Sequence, residues 1–405
     1  MSMTPKQRIL ATLRGEAVDM LPFIPRLDIW YNANAEAGTL PYPYQKASLR
    51  EIADDLDLGY HCVIPNFRDF REEGGDLDVG IGIYNLSLTP YTVKLHNIRR
   101  THERLCGGRL RVKYETPKGE LTTMSVFSED MRKSGLTLYA VTEHAVKDTT
   151  DLDAMAYILS HAEVIPNYEK FRAHQEEFIG ERGVSVALGT MYASPMHYLI
   201  KELMSVQDFY YAMADDSEKM QAFCEQIAPY FDSIMKTVAH SSAEVILSGA
   251  NYDVALTPPP IFAEHITPQL RRTADILHAN GKFLATHPDG ENRGLLREYV
   301  NARIDIADSI CPEPMTCIPL HEIRKEFDGS GITIWGAIPS VSVLESSMSD
   351  RDFEALVDYT LGAIGKGDHM ILAIADTTPP NAKFERILYI QKKAREFGAI
   401  KASGG

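Results

Sequence analysis

The segment "AEHITPQLRRTADILHANG" (263–281), followed by "KFLATHPDGENRG" (282–294), decides the fold that the sequence predicts. Its first part has the apolar spacing of an amphipathic helix and stops at a glycine, a residue that commonly ends helices. Its second part begins as a short apolar strand and then places His287, Asp289 and Glu291 on alternate positions. Alternate residues of an extended chain point the same way, so these side chains are predicted to converge on one small volume.

The same alternation of apolar runs and helix patterns recurs along most of the chain. The sequence contains eight such runs, at 23–30, 61–66, 183–190, 244–251, 282–287, 304–311, 332–340 and 370–376. Near-continuous apolar strands that alternate with helices predict a parallel sheet covered on both faces. Eight of them predict an α/β chain folded as one (β/α)8 TIM barrel over 1–405. An open doubly wound sheet is the alternative, but no G-x-G-x-x-G loop follows the first run.

Residues 75–150 interrupt this alternation. Three segments there, "VGIGIYNLSLTPYTVKL", "GRLRVKYETPKGELTTMSVF" and "LTLYAVTEHAVK", have the composition of antiparallel strands, with turns at Pro-Lys-Gly and Cys-Gly-Gly. The region is therefore predicted to be a β-rich insertion after the second barrel strand that folds over one end of the barrel.

Composition excludes several classes of partner. The 405 residues carry a formal net charge of -15, which disfavours binding to nucleic acid or to an anionic membrane. No apolar run is long enough to span a membrane, and the start "MSMTPKQRIL" lacks the hydrophobic segment of a secretory signal. A cytoplasmic location is expected. The five cysteines form no CxxC pair and are expected to be reduced thiols that mostly fill the core.

Polar side chains follow several of the apolar runs at the point where each run ends. The carboxyl ends of barrel strands meet at one rim, where barrel enzymes carry their active sites. The residues concerned are Asn251, Asp253, His287, Asp289, Cys311, Glu313, Ser340 and Asp376. His287, Asp289 and Asp376 make up a three-ligand set that leaves one position of a catalytic metal open to substrate. Nitrogen with carboxylate oxygen suits zinc, and also iron or manganese. The alternative is that each polar residue caps a helix or makes a turn.

Three further features have two interpretations each. Cys311 ends the sixth run and is either an additional metal ligand or a core residue. Glu291 either faces the site or caps the helix predicted to start near Asn292. The aromatic segment "IWYNANAEAGTLPYPY" (29–44) either walls a pocket for an apolar or aromatic ligand or is clamped to the surface by its own tyrosines.

Four segments together resemble the uroporphyrinogen decarboxylase superfamily. They are "MTPKQRILATLRGEAVDMLPFIP" (3–25), "LSGANYDVALTPPPIFAEHITPQLRRTADILHANGK" (247–282), the strand end His-x-Asp-Gly (287–290) and "MILAIADTTPPNAKFERI" (370–387). The similarity covers nearly the whole chain outside 75–150, and the order of the motifs is more specific than any one of them. The resemblance implies a (β/α)8 barrel.

The branches of that superfamily differ at two places. True uroporphyrinogen decarboxylases hold substrate carboxylates with an arginine-rich segment, where this chain has "IPRLDIWYNANAEAG" (24–38) with the single arginine Arg26. In the coenzyme M type of cobalamin-linked methyltransferase, zinc is bound by His-x-Cys and by a cysteine after the last strand. The matching positions here are His287, Asp289 and Asp376, so both thiols are replaced by carboxylates. This pattern resembles the first methyltransferases of bacterial O-demethylase systems.

The resemblance therefore implies a corrinoid-dependent methyltransferase that takes a methyl group from a small methylated compound, foremost a methoxylated aromatic. The cobalamin is expected on a separate corrinoid protein, because no Asp-x-His-x-x-Gly segment of a cobalamin site occurs in this chain. The strand-end trio would hold zinc. Glu313 or Asn251 would orient or protonate the leaving oxygen. The substrate would be enclosed by Trp30, Tyr31, Arg26 and Asp253.

Two other functions also fit the sequence. One is a decarboxylase that acts without metal, and the other is a non-catalytic protein that binds a corrinoid or a methylated aromatic compound. The methyl donor is left open among methoxylated aromatics, methanol-like compounds, and methylated amines or thiols. A homodimer is a further expectation, because barrels of this family dimerise in some cases.

Overall fold

The computed structural model describes residues 2–64 and 74–403, in which strands and helices alternate over much of the chain. The strands are β1 (Tyr60–Ile64), β2 (Tyr91–Leu95), β3 (Arg99–Leu105), β4 (Arg109–Thr116), β5 (Gly119–Val126), β6 (Ala140–Glu143), β7 (Ala162–Pro166), β8 (Gly183–Thr190), β9 (Val245–Ala250), β10 (Phe283–His287), β11 (Ile306–Asp308), β12 (Thr333–Ile338) and β13 (Met370–Ile374).

The helices lie mostly between these strands. They are α1 (Pro5–Leu13), α2 (Asp28–Ala37), α3 (Leu49–Asp55), α4 (Glu129–Lys133), α5 (Leu152–Ser160), α6 (Tyr168–His174), α7 (Pro195–Tyr198), α8 (Val206–Asp215), α9 (Ser217–Ala239), α10 (Pro259–Ile261), α11 (Thr267–His278), α12 (Leu296–Ala302), α13 (Leu320–Phe327), α14 (Asp350–Ala363) and α15 (Phe384–Phe397). Within the described ranges, no helix combines the length and the apolar composition that a membrane crossing requires.

A seven-stranded parallel sheet forms the centre of the chain. Its strand order is β1-β8-β9-β10-β11-β12-β13, so each strand pairs with the next parallel strand along the sequence. Seven of the eight predicted runs are therefore neighbouring strands of one sheet. The second run is described only to residue 64; residues 65 and 66 lie outside the described ranges. The sixth run shortens to three residues, because the chain leaves the sheet at Ser309, whose φ is 62°.

The prediction of a strand at 23–30 is wrong, because only a single β-bridge forms there. Phe23 forms an isolated parallel bridge with Leu372 of β13, and the Ile24 N–H donates to the Leu372 carbonyl at 2.9 Å. The next residue, Pro25, has no N–H to continue the ladder, and helix α2 begins three residues later. The first run therefore lies along the outer edge of β13 without becoming a full strand.

The parallel sheet is strongly curled. The side chains of His61 on β1 and Asp308 on β11 are 3.0 Å apart, although β8, β9 and β10 lie between their strands. In a flat sheet the two strands would be about 19 Å apart. Side chains from β8 to β13 meet on the concave face in one cluster, which we call the inner core. Its members are Ile9, Leu13, Ile24, Val184, Val186, Val245, Leu247, Ala285, Ile306, Trp335, Ile371 and Ala373.

Helix α1 closes one end of this inner core. Its N-terminus has the predicted capping box, in which the Thr4 side chain accepts from the Gln7 N–H and Gln7 reaches back to Thr4. Ile9 and Leu13 then belong to the inner core. Polar side chains lie at the opposite end of the curled sheet, where the strands have their carboxyl ends. We call this end the mouth of the sheet.

The β-rich region lies between the paired strands β1 and β8. Strands β3 to β6 form a four-stranded antiparallel sheet, and β2 pairs with β7. The predicted turns occur, since Gly119 pairs with Thr116 across Pro-Lys and Cys106–Gly108 is a short turn between β3 and β4. The pairing extends past residue 150, because β7 lies at Ala162–Pro166. The domain boundary at 75–150 stays a prediction.

Candidate functional site

Polar residues leave the parallel sheet at its carboxyl edge in an unusual backbone conformation. Asn251, Ser309 and Asp376 follow β9, β11 and β13 with φ values of 61°, 62° and 61°. Non-glycine residues rarely adopt this left-handed region, and where several do so together they tend to mark a functional site. The three positions surround the end of β10, which is His287.

His287, Asp289 and Asp376 come together at this edge. His287 Nε2 lies 3.3 Å from Asp376 Oδ1 and 3.7 Å from Asp289 Oδ2. One potential ligand atom from each residue lies within 4.8 Å of the others. His287 is buried, whereas the Asp376 side chain is 46% exposed and lies at the mouth. The geometry thus brings together the three residues that the sequence predicts as metal ligands.

A third carboxylate, which sequence reasoning missed, lies behind His287. Asp308 Oδ2 is 2.8 Å from His287 Nδ1, and Asp308 Oδ1 is 3.0 Å from His61 Nε2. Asp308 and His61 are both buried. A charged residue in the middle of the apolar run "IDIADSIC" is the signal that could have identified Asp308.

The ionisation of the cluster follows from these contacts. Burial disfavours the charged imidazole, but hydrogen bonds to Asp308 and Asp376 outweigh it and raise the pKa of His287 to about 10. Burial also opposes ionisation of Asp308, yet His61 and His287 hold its pKa well below the usual range. Burial raises the pKa of Asp289. A proton and a metal ion compete for the Nε2 lone pair of His287.

Asn251 holds Asp289 in place. Its Nδ2 donates to Asp289 Oδ2 at 3.0 Å, and its Oδ1 accepts from Lys201 Nζ at 2.8 Å. The Asn251 N–H donates to the His287 carbonyl at 2.9 Å, which ties this loop to the end of β10. Asn251, predicted as a catalytic residue, therefore lies in the site and orients a carboxylate.

A cavity of about 220 Å³ opens beside the cluster. Its polar side is formed by Arg26, Asn251, His287, Asp289 and Asp376, and two threonines. Its apolar side is formed by Ile29, Leu136, Leu138, Met191, Leu247 and Ala250. The residues at 136–138 come from the β-rich region, which therefore supplies part of the wall over the mouth of the sheet.

Arg26 lies in this cavity with unused hydrogen-bonding capacity. Its Nε is buried and has no hydrogen-bond partner within the described ranges. Burial opposes ionisation of Asp376, but the hydrogen bond and charge of His287 and then the charge of Arg26 outweigh it and lower the pKa of Asp376. Of the four predicted substrate-binding residues, Arg26 is the one that lines the cavity.

The other three predicted substrate residues have partners elsewhere. Trp30 is buried and stacks on Phe384 with ring centroids 5.6 Å apart. Trp30 belongs to the larger hydrophobic cluster outside the inner core, which we call the outer core, and Phe384 packs against this cluster. The Tyr31 hydroxyl donates to the Ala47 carbonyl at 3.1 Å. The Asp253 carboxylate accepts from the N–H groups of Ala255 and Glu291 at 2.8 and 3.0 Å. The cavity wall is formed instead by the neighbouring Ile29 and by residues 136–138 of the β-rich region.

Three more candidates lie away from the cavity. Glu313, predicted as a catalytic residue, is exposed and is not among the cavity residues. The Glu291 carboxylate accepts from the N–H groups of Arg293 and Cys317 at 2.8 and 2.7 Å, so it holds loop backbone. Ser340 donates to the sulfur of Met315 at 3.2 Å.

The cysteines are free thiols where they are described. Cys311 and Cys224 are buried, whereas Cys106 and Cys317 are exposed, so only half of these four fill the core. The side chain of Cys62 lies outside the described part of the chain. Burial, with added repulsion from Asp376 and Asp289, raises the pKa of Cys311 to about 12. Cys311 therefore carries its proton at neutral pH and is not part of the three-residue cluster.

Comparison with solved structures places this geometry on a known fold. The chain is similar to a methyltransferase from Methanosarcina mazei. The similarity covers 98% of this chain and 99% of the other, with 16% sequence identity and a TM-score of 0.59. At this identity the similarity establishes a shared fold. No protein-family model and no curated protein matches the chain.

Proposed function

We propose that this chain is a metal-assisted methyltransferase that moves a methyl group from a small methoxylated aromatic compound to the cobalt of a separate corrinoid protein. The observation that carries the proposal is the convergence of His287, Asp289 and Asp376 within 4.8 Å beside a small cavity. The likeness of the fold to a methyltransferase and the sequence resemblance to the O-demethylase branch support the same reaction.

The donor set fits a divalent cation. Three carboxylates, of Asp289, Asp308 and Asp376, surround the His287 imidazole, so the cluster carries excess negative charge that a cation would balance. One nitrogen and two carboxylate oxygens suit zinc, and three protein ligands leave a position for substrate. A bound zinc ion would act as a Lewis acid toward an ether oxygen. Asp308 would orient the ligand histidine from behind.

The remaining residues of the cavity suit a small aromatic substrate. The apolar side chains would pack against the ring and exclude water, and Asn251 would keep Asp289 oriented. In the reaction the methyl–oxygen bond breaks with its electron pair left on oxygen, while an electron pair of cobalt(I) forms the new cobalt–carbon bond. The phenolate oxygen then takes a proton from solvent.

The corrinoid protein would dock at the carboxyl edge of the sheet, because the methyl group must face its cobalt. In this proposal the edge segment at Phe23 and Ile24 completes a TIM barrel as its eighth element. It contacts β13 by hydrogen bonds, and Ile24 packs against Gly59 just before β1. A second copy of the chain at the same edge is the competing occupant.

The cavity favours a small substrate over a tetrapyrrole. Its volume of about 220 Å³ is below the range typical of sites for drug-sized ligands. Among the lining residues that the structure describes, Arg26 is the single cationic side chain apart from His287. A decarboxylase acting on a porphyrinogen would need several carboxylate-binding cations. In the non-catalytic alternative, the strand-end residues would serve only to cap backbone groups. Within the described ranges, Asp253 and Glu291 accept hydrogen bonds from backbone N–H groups, whereas His287 contacts the Asp308 carboxylate.

Metal analysis and a methyl-transfer assay test the proposal. Purified protein should contain about one equivalent of zinc per chain and form methylcobalamin from free cob(I)alamin and a methoxybenzene, with chelation abolishing the reaction. A protein without bound transition metal, together with an unchanged rate in Asp289→Ala, would refute it. Carbon dioxide release from a porphyrinogen would instead favour the decarboxylase.

Arg26 provides a prediction about the substrate. We expect Arg26→Gln to raise KM for a methoxybenzoate about tenfold or more, because a charge-assisted hydrogen bond to the substrate carboxylate contributes roughly 1.5–3 kcal/mol. KM for neutral methoxybenzene should change little. Arg297→Gln, at an exposed arginine outside the cavity, serves as the control for loss of charge. Equal effects of Arg26→Gln on both substrates would contradict an anion-binding role.

A further inference from the structure

Three buried side chains connect β1, β11 and β10 behind the candidate metal site. The Asp308 carboxylate lies between two imidazoles, 2.8 Å from His287 Nδ1 and 3.0 Å from His61 Nε2. The side chains of His61 and Asp308 are each 3% exposed. Each oxygen of Asp308 therefore serves one histidine, and solvent has little access to either contact.

The contacts determine which nitrogen of each ring carries hydrogen. An ionised carboxylate accepts hydrogen bonds and donates none, so the imidazole nitrogen that faces it carries the hydrogen. His61 therefore presents Nε2–H to Asp308. His287 likewise presents Nδ1–H to Asp308, which directs its Nε2 toward Asp289 and Asp376.

The position of His61 is itself constrained. Its ring meets Trp335 edge to face, with centroids 4.6 Å apart and an interplanar angle of 83°. The Trp335 Nε1–H donates to the Ile24 carbonyl at 3.1 Å. His61 thus rests on the inner core, and the core in turn fixes the direction of its bond to Asp308.

We propose that Asp308 is a positioning residue that holds His287 in the ligand tautomer and orientation, and that His61 fixes Asp308 in turn. The inference deepens the proposed function, since it rests on a metal ion bound to His287. Second-shell carboxylates of this kind typically change metal affinity by about 10- to 100-fold. The competing view is that the triad is an ordinary buried ion pair that only stabilises the fold.

The chain contains a matched control for that competing view. Asp305 and His278 form a carboxylate–imidazole pair of 2.7 Å, and Asp305 also accepts from the Leu284 N–H. Asp305 lies three residues before Asp308, at the opposite end of β11, and does not line the cavity. Asp305→Asn removes a more exposed ion pair, with side chains 24% and 29% exposed, immediately before the same strand and without touching the candidate site.

Metal affinity is the first measurement. We expect Asp308→Asn to bind zinc about 10- to 100-fold more weakly than wild type and to shift the ligand-field spectrum of the cobalt(II)-substituted protein. Asp305→Asn should leave both unchanged. His61→Leu should weaken zinc binding, whereas His61→Gln, which keeps a donor near the Nε2 position, should restore it. Wild-type affinity and an unchanged spectrum in both Asp308→Asn and His61→Leu would overturn the proposal.

A measurement without metal separates this inference from the proposed function. In protein labelled with 15N-histidine, His287 should show a hydrogen-bonded Nδ1–H resonance far downfield that is lost in His61→Leu or Asp308→Asn and kept in Asp305→Asn. If wild type binds no metal, the proposed function fails and the positioning role fails with it. If wild type binds zinc but His287 lacks the Nδ1–H resonance, only the positioning role fails. Should Asp308→Asn not fold, the two His61 variants decide.

Discussion

Replacing His287 with alanine is expected to abolish zinc binding and to lower the rate of methyl transfer by roughly 1,000-fold or more. The variant removes the only nitrogen donor of the cluster and leaves Asp289 and Asp376 facing each other across the mouth. A metal ion that stabilises transition-state charge by several kcal/mol accounts for an effect of this order, because each 1.36 kcal/mol changes a rate tenfold.

The measurement combines metal content with the rate of methylcobalamin formation at saturating methoxybenzene. His278→Ala is the control, because His278 also pairs with an aspartate, Asp305, but lies on helix α11 away from the cavity. His278→Ala should keep both the metal and the rate. A His287→Ala protein that retains its metal and turns over at the wild-type rate would remove the basis for metal-assisted transfer.

Replacing Trp335 with alanine is expected to lower the free energy of unfolding by about 3–5 kcal/mol. Trp335 is 1% exposed, belongs to the inner core and donates its Nε1–H to the Ile24 carbonyl at 3.1 Å. Alanine would leave a large cavity at the centre of the curled sheet and an unsatisfied carbonyl on the edge segment. Urea denaturation followed by circular dichroism measures the change.

Trp335→Phe separates the two contributions. It retains most of the apolar volume but loses the hydrogen bond, so we expect a smaller loss, of about 1–2 kcal/mol. Trp30→Phe is the comparison variant, because it makes the same change at a buried tryptophan that packs on Phe384 in the outer core. A loss below about 1 kcal/mol in Trp335→Ala would mean that the inner core does not depend on this side chain.

Much of the parallel sheet could be predicted because its strands are buried on both faces. Continuous apolar runs such as 183–190 and 244–251 correspond closely to β8 and β9. The failure at 23–30 has a local cause that the apolar pattern obscured, namely a proline that cannot donate to a ladder followed by the start of helix α2. The apolar pattern indicates which residues are buried, but it does not show which backbone N–H groups can form the hydrogen bonds of a sheet.

The candidate metal ligands could be predicted from residue spacing over a few positions, whereas the predicted substrate residues could not. His287 and Asp289 are two residues apart at a strand end, so extended geometry alone places them on one side. Trp30, Tyr31 and Asp253 carry no such constraint. An aromatic ring packs equally well into a core or a pocket wall, and an aspartate in a loop binds whichever amides lie nearest. Their roles depend on neighbours far along the chain.

Three features of this protein could be determined from the sequence alone. They are an α/β chain of parallel strands, an antiparallel insertion, and a histidine–carboxylate group at the strand ends. These features depend on residue spacing, which is a local property. Only the tertiary structure decided that Asp308 bridges His287 and His61, that Leu136 and Leu138 wall the cavity, and that Glu313 stays outside it. The Asp308 contacts arise because the sheet curls and brings side chains of β1 and β11 together. A curl of many strands is a collective result of packing rather than a property of any one segment.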